Sequence, residues 1–274
     1  MTTQVWVTGP KGYLGSQVCA ALEILGCAVV TVDRNQPPRR IVCDAVVHCA
    51  GRLRGEGNAT RHRMDNVRYT SAVLDAVAPD TLVVMASSRA ASDPETDSYA
   101  RSKAEAELLV GAWGPHLILR LTVLAGPSIV GIGHSFLSKM VEDAILCGSV
   151  QLVRHAPPVD LLDVREAAVT MSMAAAKGTS SCEVVEATTG PMQLDLVANL
   201  IREHVRRRVG AGVVLTENCV APESHRPAPA SPAQWSDLRA LLGCQGIPIS
   251  DTVRDTVDRV LRDRERDCTQ GRCR

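Results

Sequence analysis

The 274-residue chain can bury a full core, as one α/β unit or as a large and a small lobe. Lys plus Arg and Asp plus Glu both number 30, so no net charge steers the protein to nucleic acid or an anionic membrane. Ten cysteines without a Cys-x-x-Cys pair and seven dispersed histidines predict mostly small buried hydrophobes rather than bridges or ligands, and no metal site.

The opening "MTTQVWVTG" lacks a basic region followed by an apolar stretch, so no signal peptide is predicted and a cytoplasmic location is expected. From there the chain reads strand ("QVWV"), glycine turn, helix and strand ("CAVVTVD"). In that helix Val18, Leu22 and Leu25 share helical spacing, and Gly26 is placed to end it. "RIVCDAVVHCAG" and "TLVVMASS" are apolar runs of the kind a parallel sheet covered on both faces requires, with helical "DNVRYTSAVLDAVA" between them. "AEAELLVGAW" continues a helix, and "HLILRLTVLAGPS" reads as one buried strand running into a loop. This alternation predicts right-handed crossovers and a Rossmann-type, doubly wound parallel sheet.

After about residue 126 the pattern loosens into a glycine-rich loop, a helix through "LSKMVEDAIL", a strand in "CEVVEATTG" and a helix in "LDLVANLIREHV". "RRR" at 206–208 reads as a solvated helix face. The proline-rich stretch 221–233 is a surface excursion, Ser250 is placed to cap a last helix carrying Val253, Val257, Val260 and Leu261 on one face, and a frayed tail follows. No apolar run approaches the length that spans a bilayer. The expected division is a dinucleotide-binding domain over 1–178, with a substrate loop at about 126–144, and a substrate-binding region over 179–274.

"VTGPKGYLG" sets Gly9, Gly12 and Gly15 between a strand and a helix. Glycines there permit a tight turn and close approach of backbone to a pyrophosphate, which meets the N–H groups of the helix start. Asp33 closes the next strand 18 residues beyond Gly15, where an acid accepts the ribose hydroxyls of adenosine. NAD(H) is therefore favoured, while Arg34 leaves NADP(H) open because an arginine can hold a 2′-phosphate.

"DSYARSKAE" places Tyr99 and Lys103 four residues apart, on one face of a helix. The chain has 3 tyrosines and only 4 lysines against 26 arginines. Composition alone gives about 0.04 such pairs. A free phenol titrates near ~10, so using it near pH ~7 takes about 4 kcal/mol of phenolate stabilisation. A lysine ammonium beside it and an oxidised nicotinamide, both cationic and shielded from water, supply that. Lysine suits the position better than arginine because its compact charge sits at one point between phenol and ribose.

In order along the chain, "TGPKGYLG", "DAVVHCAG", "VVMASS", "YARSKAEAE", "LRLTVLAGP" and "VDLLDVREAA" resemble the extended short-chain dehydrogenase/reductases, the NAD-dependent epimerase/dehydratase group. The resemblance runs from about residue 4 to 190 and continues weakly through the helix pair at "SDLRALLGCQGIPISDTVRDTV". It implies that Tyr99 gives or takes the proton, that Lys103 lowers its pKa and binds the nicotinamide ribose, and that Ser88 hydrogen-bonds the reacting oxygen, with Ser87 the alternative one register away. It also implies cofactor contacts at Gly9, Gly12, Tyr13, Leu14, Gly15, Asp33, Arg34, Ala50, Gly51, Tyr99, Lys103 and Leu121. Asn66 matches an asparagine that serves structure, and Tyr69 stands where that motif has glycine. A homodimer through a four-helix interface including the Tyr99 helix is a further implication.

Departures from the pattern narrow the chemistry. Only about ten residues separate Asp33 from the next strand, so a helix and a strand are expected to be missing or merged there, and the role of Asp44 is open. Arg89 and Ala90 follow Ser88 where the family's dehydratases and decarboxylases carry an acid, which disfavours both reactions. Val123 and Val159 replace an asparagine and an arginine that hold a nucleotide-sugar diphosphate, unless Arg154 or Arg226 takes over. The expected function is an NAD(P)-dependent oxidoreductase, best read as a ketoreductase of a small specialised-metabolite substrate, as in antibiotic biosynthesis. The alternatives are a nucleotide-sugar 4-epimerase or 4-ketoreductase, and a non-catalytic NAD(P) sensor.

Overall fold

The computed structural model describes residues 2–31, 40–129, 135–153, 157–179, 182–210, 212–218 and 232–270. The chain divides into two compact units, Met1–Thr122 with Arg165–Thr188 and His225–Gln245, and Val123–Val164 with Thr189–Ser224 and Gly246–Arg274.

In the first unit, β1 (Gln4–Thr8) is built from β-branched and aromatic residues, and Val5, Trp6 and Val7 are fully buried. The glycine turn leads to α1 (Tyr13–Ile24), which faces inward through Leu14, Val18 and Leu22. Leu25 does not join that face as its spacing predicted: it is the residue after the last helical turn and is 41% exposed. Gly26, at φ +76°, stops the helix, and the Cys27 N–H closes back onto the Leu22 carbonyl.

Next come β2 (Ala28–Thr31) and β3 (Ala45–His48), then the helical run α2 (Ala59–His62), a π-helical turn (Arg63–Arg68) and α3 (Tyr69–Asp75). They are followed by β4 (Leu82–Ser88), α4 (Ser98–Trp113) and β5 (His116–Leu121). The strands pair in parallel in the order β2-β1-β3-β4-β5, and a later strand, Glu183–Ala187, completes the sheet beside β5. This is the expected doubly wound α/β sheet. Between β2 and β3, residues 32–39 lie outside the described residues and residues 40–44 form no helix or strand. The chain leaves β1 for β2 on one side and returns to β3 on the other, so the order reverses beside β1, where such sheets hold ligands at the strands' carboxyl ends.

The apolar run after α4 is not one strand. β5 ends at Leu121, and β6 (Val123–Ala125) belongs to the second unit. There α5 (Phe136–Leu146), β7 (Ser149–Val153) and β8 (Leu161–Asp163) follow, with β6 and β8 parallel. The chain continues with α6 (Val164–Lys177), the sheet-completing β9 (Glu183–Ala187), α7 (Leu194–Val209), β10 (Val214–Asn218), α8 (Ala233–Leu242) and α9 (Ile249–Thr269). The core of the second unit gathers Leu137, Val141, Val197, Ile201, Val253 and Val257 from α5, α7 and α9. Ser250 lies inside the first turn of α9, whose N-cap is Pro248 with no side-chain cap bond. Arg206, Arg207 and Arg208 are exposed as expected, and Arg208 pairs with Asp258 at 2.6 Å. No helix of the described residues is long and apolar enough to cross a membrane.

The cysteines are less buried than composition suggested. Cys19, Cys27, Cys43, Cys49 and Cys244 are half-buried, Cys147 and Cys182 are exposed, and Cys268 is in a disulfide, against the expectation of unbridged thiols.

α8 is fastened to α6 within the first unit by one buried carboxylate. Glu166 accepts the Trp235 indole N–H at 2.7 Å and an Arg239 N–H at 3.0 Å. Removing that carboxylate orphans an indole and a guanidinium together. Glu166→Ala should therefore lower the unfolding free energy by about 3 kcal/mol in urea titration, with Glu166→Gln in between. A loss below about 0.5 kcal/mol would show that α8 is held by packing alone.

Candidate active site

The glycine turn is shaped for close approach. Gly9 takes φ +66°, and a Cβ on Gly15 would stand 2.1 Å from the Gly9 carbonyl oxygen, so α1 packs against the turn only with glycine there. Gly12 is the N-cap of α1 and donates to the Gly9 oxygen at 3.0 Å, and no side chain caps the helix. The turn thus offers an anionic group the start of α1, which is the fit a dinucleotide pyrophosphate needs. Leu14 is buried on α1 and Tyr13 half-buried at its first position. Asp33 and Arg34, on which the choice of cofactor rests, lie outside the described residues, as do Arg154 and Arg226.

Across the switch point, Ala50 and Gly51 follow β3. The Ala50 N–H donates to Thr8 Oγ1 at 3.1 Å, tying the carboxyl ends of β1 and β3. A Cβ on Gly51 would crowd Asn66 Oδ1 at 3.0 Å and rest in ordinary contact with Lys103 Nζ at 3.5 Å. Beneath them lies buried His48, with Nδ1 2.7 Å from Thr8 Oγ1 and Nε2 2.9 Å from Thr70 Oγ1. Thr70 spends its proton on the Asn66 carbonyl at 2.6 Å, so it accepts from His48 Nε2–H. Nδ1 is then the acceptor, and Thr8 donates to it. Burial, helped by the Lys103 charge, drives the His48 pKa down to about 3, which fits this neutral tautomer.

Asn66 sits in the π-helical turn and clamps the loop after β3. Its Oδ1 accepts the Arg52 N–H at 2.6 Å, and its Nδ2 donates to the Arg52 carbonyl at 3.3 Å and to Ser102 Oγ at 2.9 Å. Tyr69, one residue beyond the π turn, puts its ring 6.1 Å from that of His48. Asp44 has a structural role: its Oδ2 accepts the Gln4 N–H at 2.7 Å, at the amino ends of β1 and β3, away from the crevice.

α4 begins at an Asp97 cap, whose Oδ1 accepts the Ala100 N–H at 2.8 Å, and it buries Tyr99, Lys103, Ala106, Glu107 and Val110 along one side. Tyr99 is 9% exposed and hydrogen-bonded to the Ser88 side chain. Burial pushes its phenol up, against the opposing pulls of that hydrogen bond and of Arg54, while Asp97 adds to the rise. Lys103 Nζ donates to the Ala86 carbonyl at 2.9 Å. Burial lowers its pKa to about 8, opposed by Glu107.

β4 settles the register of its two serines. Ser87 Oγ donates to buried Glu107 Oε1 at 2.5 Å, and Glu107 is gripped by Arg120 through Nε and Nη2. Ser88, at the strand's tip, meets Tyr99 and pairs in the sheet with Leu121 of β5, itself buried. After Ser88 comes a 3-10 turn, Arg89–Ser92, and no acid. In the second unit Val123 is exposed, whereas Val159 is buried in the core and bridged to Met192.

Two contributors to the surroundings of Tyr99 carry no signal in the sequence. The Arg54 guanidinium lies 5.8 Å from the centre of the phenol ring and binds Asp97 Oδ2 through Nε at 2.8 Å. The His62 ring meets the phenol edge-on at 5.9 Å. A count of arginines near the Tyr-x-x-x-Lys helix cannot find Arg54, because it lies 45 residues upstream in an aperiodic loop.

His48 also gives the fold a pH signature. Its folded pKa lies below its ordinary value, so the unfolded chain binds the extra proton and stability falls as pH drops from about 6.5 toward about 3. Between about pH 5.5 and 4.5 the wild type should lose stability more steeply than His48→Gln, by roughly one proton or ~1.4 kcal/mol per pH unit. Parallel slopes in urea titrations would contradict a neutral His48.

A model of the NAD-dependent epimerase/dehydratase family matches residues 5–185. No curated protein matches the chain by sequence. Solved structures with the same fold include MoeE5 in complex with UDP-glucose and NAD, 20% identical, with 94% of this chain and 99% of that chain covered at a TM-score of 0.73. RMD from Pseudomonas aeruginosa complexed with NADPH is 19% identical, with 94% and 97% covered at a TM-score of 0.69. UDP-glucose 4-epimerase from Thermotoga maritima with UDP-glucose is 16% identical, with 94% and 99% covered at a TM-score of 0.75. At such identities these likenesses show the fold alone, while the family match spans most of the chain, with the glycine turn, both β4 serines and the Tyr-Lys helix inside it. The chain belongs to the NAD-dependent epimerase/dehydratase family.

Proposed function

We propose that the protein is an NAD(P)-dependent ketoreductase of a small organic substrate without a diphosphate, working through Ser88, Tyr99 and Lys103. The observation that carries this reading is the buried Tyr99 phenol hydrogen-bonded to Ser88, on the helix whose next turn holds Lys103. The bound nicotinamide supplies the hydride. Gly9, Gly12 and Gly15 would hold the pyrophosphate at the start of α1, with Tyr13, Leu14, Ala50, Gly51 and Leu121 as further cofactor contacts and Asp33 as the partner of the adenosine ribose. Ser88 orients the substrate carbonyl and Tyr99 gives its proton to the oxygen. A substrate alkoxide is far more basic than a phenolate, so this transfer runs downhill. Lys103, charged below about pH 8, holds the ribose and offsets the charge left on Tyr99.

Two features favour reduction. Burial keeps the phenol protonated, loaded to donate. The valines at 123 and 159 leave out the polar anchors with which an epimerase retains its diphosphate while the sugar turns. The second reading, a nucleotide-sugar 4-epimerase or 4-ketoreductase, is supported by two fold neighbours solved with UDP-glucose.

Steady NAD(P)H oxidation with a panel of ketones is the expected behaviour, and turnover of UDP- or dTDP-sugars alone would overturn the substrate reading. Tyr99→Phe should lower kcat at least about 100-fold, as loss of a general acid does. Full activity in that variant would show that Tyr99 is not the proton donor, whereas NAD(P) binding by the wild type with no turnover of any ketone or sugar would fit a sensor. The reductive kcat/KM should be flat near neutrality and fall above about pH 8 as Lys103 loses its proton.

A further inference from the structure

We propose that Arg54 is a positioning residue and second cationic partner of Tyr99: its guanidinium, fixed by Asp97 over the phenol ring, orients the ring toward Ser88 and stabilises the phenolate left when the proton departs. This rests on the reading of Tyr99 as proton donor.

The loop that carries Arg54 is pinned at three successive residues. Asn66 holds both backbone groups of Arg52. His62 Nε2 lies 3.3 Å from the Leu53 carbonyl, while its Nδ1 lies 2.9 Å from Ser98 Oγ on α4. Asp97 holds the Arg54 side chain with one carboxylate oxygen and caps α4 with the other, directly ahead of Tyr99. Asp97 thereby ties the guanidinium to the turn of helix that presents the phenol. The ring is bounded by the His62 edge and the Arg54 fork, an arrangement that favours one orientation.

Among the described residues the charged and titratable groups against the phenol are Arg54 from the loop after β3, His62 from α2 and Asp97 at the α4 N-cap, while Lys103 lies one turn further along α4. Of the two cations, Lys103 gives a hydrogen bond to the Ala86 carbonyl and loses its charge near pH 8. A guanidinium keeps its charge at every working pH. When the Tyr99 O–H breaks and the substrate oxygen takes the proton, the negative charge stays on the phenolate until solvent reprotonates it. Arg54 is the permanent charge that faces it meanwhile.

The test reads Tyr99 directly. Phenolate absorbance after a rapid alkaline pH jump, taken as the difference from Tyr99→Phe, isolates this residue from Tyr13 and Tyr69. At low ionic strength Arg54→Gln should titrate higher by about half a unit, the size expected of a partly exposed cation at this range. High salt should shrink the gap. Arg54→Lys, which keeps the charge, should restore most of the shift and vouch for the fold together with an unchanged circular dichroism spectrum. In turnover, Arg54→Gln should lower kcat about tenfold with the ketone KM unchanged. Coincident titrations of wild type and Arg54→Gln would overturn the inference, as would a change in KM alone, which would make Arg54 a substrate anchor. The titration needs no substrate, so it stands or falls separately from the ketoreductase reading.

Discussion

Three consecutive residues at the carboxyl end of β4 fasten three turns of α4, and the candidate site depends on that seam. The Ala86 carbonyl takes the Lys103 ammonium, Ser87 donates to Glu107, and Ser88 meets Tyr99. Strand residues alternate in direction, so a one-residue slip of β4 would exchange the two serines. Glu107 resists the slip: it is a buried carboxylate engaged by Ser87 and by two Arg120 nitrogens, and any shift would leave part of its charge unpaired. A buried ion pair adds little net stability once desolvation is counted, but separating one costs several kcal/mol, on the order of 3–5. The contribution of Glu107 is therefore register. It fixes which serine faces the phenol.

The crevice beside β1 follows the same economy of short polar contacts. Thr8, His48, Thr70 and the Asn66 carbonyl form one directed chain of hydrogen bonds, with every hydroxyl proton assigned. The chain joins the carboxyl ends of β1 and β3 to the π-helical turn without placing a charge beneath the site, because burial keeps His48 neutral. The π turn delivers the Asn66 side chain to the Arg52 backbone and Ser102, and the Ser102 hydroxyl continues to the Tyr99 carbonyl at 2.8 Å. An interrupted helix at a functional site commonly serves to aim one side chain in this way. Here it links the loop that carries Arg54 to the helix that carries the phenol.

Local chemistry was legible in the sequence, and long-range pairing was not. The strand runs, the glycine turn and the Tyr-Lys spacing each act within a few residues, so period and composition expose them. The pairing of Ser88 rather than Ser87 with Tyr99 depends on how β4 meets α4, which adjacent serines cannot reveal. Asp97 reads as an ordinary helix cap, and its second oxygen gains a partner only once a loop 43 residues earlier folds across it. Leu25 kept the helical spacing of Val18 and Leu22 yet lies past the last turn, where the face no longer points inward. The role of Asp44, open from the sequence, depends on a partner 40 residues away, the Gln4 N–H at the amino end of the sheet. The cysteines misled because residue type predicts burial only on average, and five of them stop at half-buried positions.

The choice of lysine at position 103 is explained by what surrounds it. Its ammonium is buried, meets one carbonyl oxygen, and stands close to where a Gly51 side chain would begin. A planar fork with five donors could not be satisfied in that space, whereas a single point charge can. The cost of burying it is a pKa drawn down to about 8, which makes this charge conditional. On the exposed side of the phenol the requirement reverses: room for a fork, a carboxylate to hold it, and a charge that persists. Lysine inside and arginine outside are thus one solution to two dielectric environments. Burial keeps the phenol protonated at rest, and the Arg54 guanidinium over its ring is placed to support the charge when it ionises.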